Sequence, residues 1–152
     1  MSAEIISLSS EVEALLAEAQ LPTSDIWISR SLNLLGVRED SRLVGVVGIE
    51  HYGQIGLLRS LAVAERRRNS GFGASLVSNA EAWAAAHGIR TLYLLTTTAA
   101  EFFARLGYVV IPRSEAPAAI AETAQFSDLC PASSAFMRKV LAADASLQAR
   151  RL

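Results

Sequence analysis

Arg68, Asn69, Ser70, Gly71, Phe72 and Gly73 form an R-x-x-G-x-G run directly before a long segment of helical spacing. These residue types suit the binding of an anion. The first amide groups of a helix have no partner inside it, and they point out of its N-terminus. Glycine lets the backbone approach a ligand closely and take positive φ. Two common phosphate loops are excluded by spacing. A P-loop needs a lysine after its last glycine, and none follows here. A dinucleotide fingerprint needs a third glycine where Leu76 stands, directly after a strand, whereas about seven residues of turn precede these glycines. A second charge interrupts the apolar run Leu57–Leu61 at Arg59. A cation in such a strand must be paired or face a cleft. Its guanidinium suits a carboxylate, phosphinate or arsinate. A structural ion pair with an acid such as Glu50 is the alternative.

The elements that must position these groups follow from periodicity. "EIISL" reads as a short first strand, and "SSEVEALLAEAQ" as a helix capped by Ser9 or Ser10. Pro22 ends that helix and opens another short one. "LNLLGVRED" and "RLVGVVGIEHYG" read as strands joined by a polar hairpin turn. After a turn at Gly53-Gln54 comes "IGLLRSLAVA", again a strand. The glycine loop then opens a long helix ending at Gly88, with Leu76, Ala80, Trp83 and Ala84 as its apolar stripe. His87 sits in its last turn, at the negative end of the helix dipole. "RTLYLLTTT" (strand), "AAEFFARLG" (helix), "YVVIP" (strand), "EAPAAIAETA" (helix) and "SAFMRKVL" (strand) complete the chain. The order implies an α+β or mixed α/β sandwich, antiparallel at first, with a βαβ crossover near the middle. One domain is expected over residues 1–141, with a flexible tail over 142–152.

Composition narrows the function classes. The 152 residues are 51% hydrophobic and 19% charged, which fits one globular domain. A net charge of −1 gives no field for general nucleic-acid binding. A single cysteine, Cys130, makes neither an internal disulfide nor by itself a zinc site, and reads as a small buried hydrophobe. No metal is expected. No apolar run reaches the ~20 residues of a membrane span, and the start lacks a signal pattern, so a cytoplasmic location is expected. Lys139 is the sole lysine among fourteen basic residues, so cationic work falls to arginine.

R-x-x-G-x-G after an "LAV" strand and before a long helix resembles motif A of the GCN5-related N-acetyltransferases, the GNAT family. "LYLLTTTAAEFFARLGYVV" is similar to that family's second half, so the resemblance spans roughly residues 4–141. It implies a central twisted mixed sheet of about six to seven strands with helices on both faces. It implies acetyl-CoA as co-substrate. Leu61, Ala62 and Val63 would bind the pantetheine arm by strand addition. Arg68, Asn69, Ser70, Gly71, Phe72, Gly73 and Ala74 would hold the pyrophosphate, leaving Arg66 and Arg67 as solvated turn charges. Phe102 and Phe103 would flank the pantetheine and thiol, with core packing as the alternative for one of them. A primary amine would attack the thioester directly, which requires loss of a proton from the ammonium. A backbone N–H of Leu61–Val63 would stabilise the oxyanion. Glu50, read as a strand-end acid meeting cleft and solvent, is the candidate base, and His51 is its rival on the opposite strand face. The second aromatic of the short helix is a leaving-group tyrosine in many relatives. Here it is Phe103, so Ser60, a water or the amine itself must supply the proton.

Two subgroups of the family look similar to this chain: the catalytic domain of N-acetylglutamate synthases and, more closely, small acetyltransferases of arsenic-resistance operons. "LLRSLAV", "LYLLTTTA" and Leu129-Cys130-Pro131 carry the second resemblance. Both imply the α-amino group of a small acidic amino acid, or of a glutamate-like analogue such as arsinothricin or phosphinothricin. Arg59, Thr96 and Thr97 are the substrate-binding candidates, and Thr98 could donate a further hydroxyl. The expected partners are a small-molecule amine, with no nucleic acid and no membrane, and homodimerisation is left open. A non-catalytic acetyl-CoA-binding module and a protein acetyltransferase are the rival classes.

Overall fold

The computed structural model describes residues 3–21, 31–68, 70–124, 126–127 and 134–141. The helix expected after Pro22, residue Asn69, Cys130 and the tail 142–152 lie outside these. Among the described residues a seven-stranded mixed sheet runs in the order β1-β2-β3-β4-β5-β7-β6. Its strands are β1 (Glu4–Ile6), β2 (Leu32–Glu39), β3 (Arg42–Tyr52), β4 (Ile55–Val63), β5 (Thr91–Thr96), β6 (Val109–Val110) and β7 (Ala135–Val140). All neighbours are antiparallel except β4 and β5. That parallel pair is joined by helix α2 (Phe72–Ala86), the expected crossover. The strand read at "YVVIP" shrinks to two paired residues, because Pro112 cannot donate to a ladder. The helix read at "EAPAAIAETA" is the single turn α4 (Ala118–Ala121).

Helices cover both faces. Leu76, Val77, Ala80 and Ala84 of α2 pack on Leu35, Val47, Ile49, Leu58 and Leu92 of the sheet, joined by Phe103 of α3 (Ala100–Arg105). On the other face Val12, Leu15 and Leu16 of α1 (Ser10–Glu18) meet Leu34, Val46 and Ala62. Further along that face Ile120 of α4 meets Leu57, Tyr93 and Phe136. Side chains such as Leu16, Leu76 and Ile120 are 0% exposed, and each contributes about 1.5–3 kcal/mol by leaving water.

Glu11 ties α1 to the sheet. One carboxylate oxygen accepts the Leu43 amide at 2.8 Å and the other accepts Arg38 Nη1 at 2.7 Å. The amide bond first, and Arg38 second, hold its carboxyl below the usual range. A depressed folded value gives stability that is present at neutral pH and is lost as pH falls through it. Glu11→Gln should therefore lower the urea midpoint at pH 7, and its gap from the parent should close below about pH 4.

Candidate active site

β4 and β5 begin side by side and then part. They pair only from Ile55↔Thr91 to Leu57↔Tyr93. Beyond that point β4 continues to Val63 on its ladder with β3, and β5 continues to Thr96 on β7. A cleft thus opens along one edge of Leu58–Val63, where among the described residues no strand pairs with β4. A β-bulge helps to turn β4 away: Val46 faces Ala62 and Gly48 faces Arg59, so three steps on β4 match two on β3. Ser60 sits in that bulge at φ +58°, a left-handed conformation that glycine takes without strain and serine does not. A cavity of about 370 Å³ lies against this strand, lined by Leu61–Val63, Arg68 and the end of α1 at Glu18–Gln20.

The glycine run forms the start of α2. Gly71 is its N-cap at φ +80°. The first bond of the helix runs from the Ser75 amide to the Gly71 carbonyl at 3.1 Å, so the amides of Phe72, Gly73 and Ala74 lie before the helical ladder. No acidic residue stands in this first turn to occupy them. Phe102 of α3 closes over the loop: a Cβ added at Gly73 would meet its Cζ at 3.4 Å. Phe103 instead points into the core, edge-on to Phe102 and Tyr108 at 5.0 and 5.7 Å. Successive residues on a helix face about 100° apart, so only one of the pair can face the loop. Arg68 donates its Nε to the Val63 carbonyl at 3.0 Å and approaches Glu18 at 3.7 Å. Arg67 is not the solvated charge expected. It stacks over Phe72 at 5.0 Å and pairs with Glu39 at 3.1 Å. Arg66 and Ser70 are exposed, and the Ser70 hydroxyl bonds the Arg67 carbonyl.

The charged residues deeper in the sheet differ from expectation. Glu50 is not at a strand end, because β3 runs on to Tyr52, and it does not meet solvent. Its Oε2 accepts Arg59 Nη1 at 2.8 Å, and the two side chains are 4% and 1% exposed. Its Oε1 accepts the Tyr52 hydroxyl. Arg59 Nε donates to Ser60 Oγ at 3.0 Å. Glu50 and Arg59 share a sheet face, so strand alternation made the pair legible, and the ion pair is the arrangement found. Tyr52 was missed. It lies two residues beyond Glu50, and period-two spacing alone would place both on one face. Burial, then the bond to Glu50, pushes its phenol well above its ordinary range. His51 faces the other side, edge-on to Trp83 at 6.1 Å, and His87 stacks on Trp83 at 4.0 Å. Neither imidazole reaches the cleft.

At the far rim, Thr96 Oγ1 accepts the Ala99 amide at 3.0 Å, while Thr97 and Thr98 are exposed. Glu18, also missed, accepts the Glu65 amide at 3.3 Å and so ties α1 to the turn before the loop. Nothing local in the sequence signals that contact, which spans 47 residues. Among the described residues no cluster of His, Cys, Asp or Glu could hold a metal ion, and no helix is long and apolar enough to cross a membrane.

The sequence model of the acetyltransferase (GNAT) family matches residues 5–108. An uncharacterised N-acetyltransferase of Chlorobaculum tepidum is 36% identical over 77 residues, covering 50% of this chain and 49% of that protein. N-acetylglutamate synthase of Neisseria gonorrhoeae, solved with coenzyme A and N-acetyl-glutamate, superposes with TM-score 0.74 at 20% identity. That match covers 93% of this chain and 35% of the synthase. Tetrahymena GCN5 superposes with TM-score 0.73 at 13% identity, covering 93% of this chain and 96% of that one. The chain thus spans about half the length of the curated relative and about a third of the synthase. At these identities the solved structures share its fold.

Proposed function

The chain belongs to the acetyltransferase (GNAT) family, and we propose that it transfers the acetyl group of acetyl-CoA to the primary amine of a small acidic amino acid or a glutamate-like analogue. The observation that carries the reading is the parting of β4 from β5 beside the N-terminus of α2. An extended pantetheine arm fits the unpaired edge at Leu61–Val63 as an added strand. The amides of Phe72–Ala74, with Gly71 and Arg68, suit a pyrophosphate. Phe102 stands over that loop. Coenzyme A is bound by the synthase of Neisseria with the same fold.

In the reaction an amine nitrogen attacks the thioester carbon, and a β4 amide stabilises the oxyanion. Glu50 is engaged by Arg59 and Tyr52. It therefore serves as the anchor of Arg59, and the free amine is drawn from solution. Ser60, in the bulge, is the candidate for protonating the leaving thiolate, since Phe103 has no hydroxyl.

The acceptor class rests on the likeness of "LLRSLAV" and "LYLLTTTA" to enzymes of acidic amino acids and their arsinothricin- and phosphinothricin-type mimics. Arg59 is taken up by Glu50 at 1% exposure, so of the substrate-binding candidates Thr96 and Thr97, on the opposite rim, remain to hold the acceptor. Thiol release and product mass should be followed with acetyl-CoA and a panel of amines. We expect kcat/KM for glutamate or phosphinothricin to exceed that of neutral amino acids by at least about 100-fold, the span a desolvated ion pair supplies. Equal rates across the panel would overturn the acceptor class. An N-acetylglutamate synthase-like enzyme would favour glutamate over its mimics. A binding module is favoured by one observation, the burial of hydroxyl-less Phe103. It would bind acetyl-CoA and acetylate nothing.

A further inference from the structure

The side chains of Tyr52, Glu50, Arg59 and Ser60 form one unbroken line of hydrogen bonds. It starts at the half-buried end of β3 and finishes at the bulge where β4 leaves β5. The line lies on the sheet face between two apolar clusters, one under α1 and one under α4. Its two inner members are almost sealed from solvent. At its inner end stands a strained residue. Ser60 holds φ +58° in a bulge, where glycine would be free of strain. A serine kept at such a position points to a use for its hydroxyl.

We propose that Tyr52 is a positioning residue for acetyl transfer, acting through Glu50 and Arg59 to aim the Ser60 hydroxyl proton at the leaving sulfur. This rests on the acetyltransferase reading above. Arg59 Nε occupies one lone pair of Ser60 Oγ, and a guanidinium cannot accept a proton in return. The hydroxyl proton must therefore point away from Arg59. Glu50 holds Nη1 in this pose at 2.8 Å. The terminal torsion of a glutamate is broad, so one bond to Arg59 leaves the carboxylate free to swing. The Tyr52 hydroxyl on its second oxygen removes that freedom. The phenol's raised pKa keeps it protonated, and donating, at neutral pH.

The step balances. The amine nitrogen forms the C–N bond, and the C–S bond breaks with its electron pair going to sulfur. The proton leaving nitrogen passes to the second lone pair of Ser60 Oγ as Ser60 gives its own proton to sulfur. The products are the amide and the free thiol, and serine is regenerated.

The test uses the full chain and four variants: Tyr52→Phe, Ser60→Ala, Ser60→Gly and Tyr52→Phe with Ser60→Gly. Ser60→Ala and Ser60→Gly should each lower kcat by at least about tenfold, with KM for acetyl-CoA unchanged. A merely structural serine would shift the thermal midpoint and leave the kcat of the folded enzyme unchanged. Tyr52→Phe should lower kcat about three- to tenfold, and should have no further effect once Ser60 is glycine. If the losses from Tyr52→Phe and Ser60→Gly multiply, or if Tyr52→Phe is silent, the line from Tyr52 is overturned. If the Ser60 variants keep full kcat while the parent transfers acetyl, the proton route is overturned and the acetyltransferase reading stands. If the parent acetylates no amine, that reading fails and the proposal falls with it.

Discussion

Glu50→Ala is expected to lower stability by about 3–5 kcal/mol, read as a fall in the urea midpoint, because it leaves a buried guanidinium without its carboxylate. Arg59 and Glu50 are 2.8 Å apart with side chains 1% and 4% exposed, so neither charge can turn to water for compensation. The same change also takes away the acceptor of the Tyr52 hydroxyl. The loss should belong to the broken pair and not to the site as such. Replacing both partners by apolar residues of similar volume, Glu50→Leu with Arg59→Met, should cost less than the single change, since the buried guanidinium is removed together with its carboxylate. An exposed strand-end acid would behave otherwise. Its removal would stay within about 0.5 kcal/mol and would act on the rate alone. An unchanged midpoint for Glu50→Ala would refute the buried pair.

The second large effect is expected at Gly71. Gly71→Val should weaken acetyl-CoA binding by at least about 100-fold, close to 2.8 kcal/mol at 1.4 kcal/mol per decade. A Cβ at Gly71 would meet nothing within 4 Å, so crowding is not the cause. The cause is φ +80°, which a β-branched residue occupies only under strain. The loop must then move to another conformation, and the amides of Phe72–Ala74 lose their common aim. Gly71→Asn provides the control, because asparagine tolerates the left-handed region, and it should lose far less affinity. Calorimetry with acetyl-CoA separates the two. Equal losses would mean that any side chain blocks the loop. No loss in either would remove the loop from the cofactor site.

Much of this arrangement was legible in the sequence, for local reasons. Turn residues and two-residue alternation gave the β2–β3 hairpin, and R-x-x-G-x-G before a helical stripe placed the start of α2. Arg59 stood out as a charge in an apolar strand, and its pairing with Glu50 was one of two readings available. What chose between them was register. Gly48 lies opposite Arg59, and the bulge at Ser60 sets which side chains share a face. A bulge inserts one residue without a composition signal, so the strain at Ser60 could not be read from neighbours. The strand was read through Tyr52, yet Glu50 was taken as its solvent-meeting end; the register that sets it on one face with Arg59, and so buries it, is not written in local composition. Phe102 and Phe103 were separable only once the orientation of α3 was known. Glu18 and Arg68 meet across a long sequence interval, through α1 docking on the sheet, which periodicity does not specify.

The central claim is that the cleft between β4 and β5, with the Gly71 loop, presents acetyl-CoA to a small amine. Its most direct test is to mix the protein with acetyl-CoA and glutamate or phosphinothricin and to measure free thiol and acetylated amine together. The account predicts equal amounts of the two products, both dependent on the amine and both lost in Gly71→Val. Acetylated product from none of the amines, or equal turnover by Gly71→Val, would contradict it.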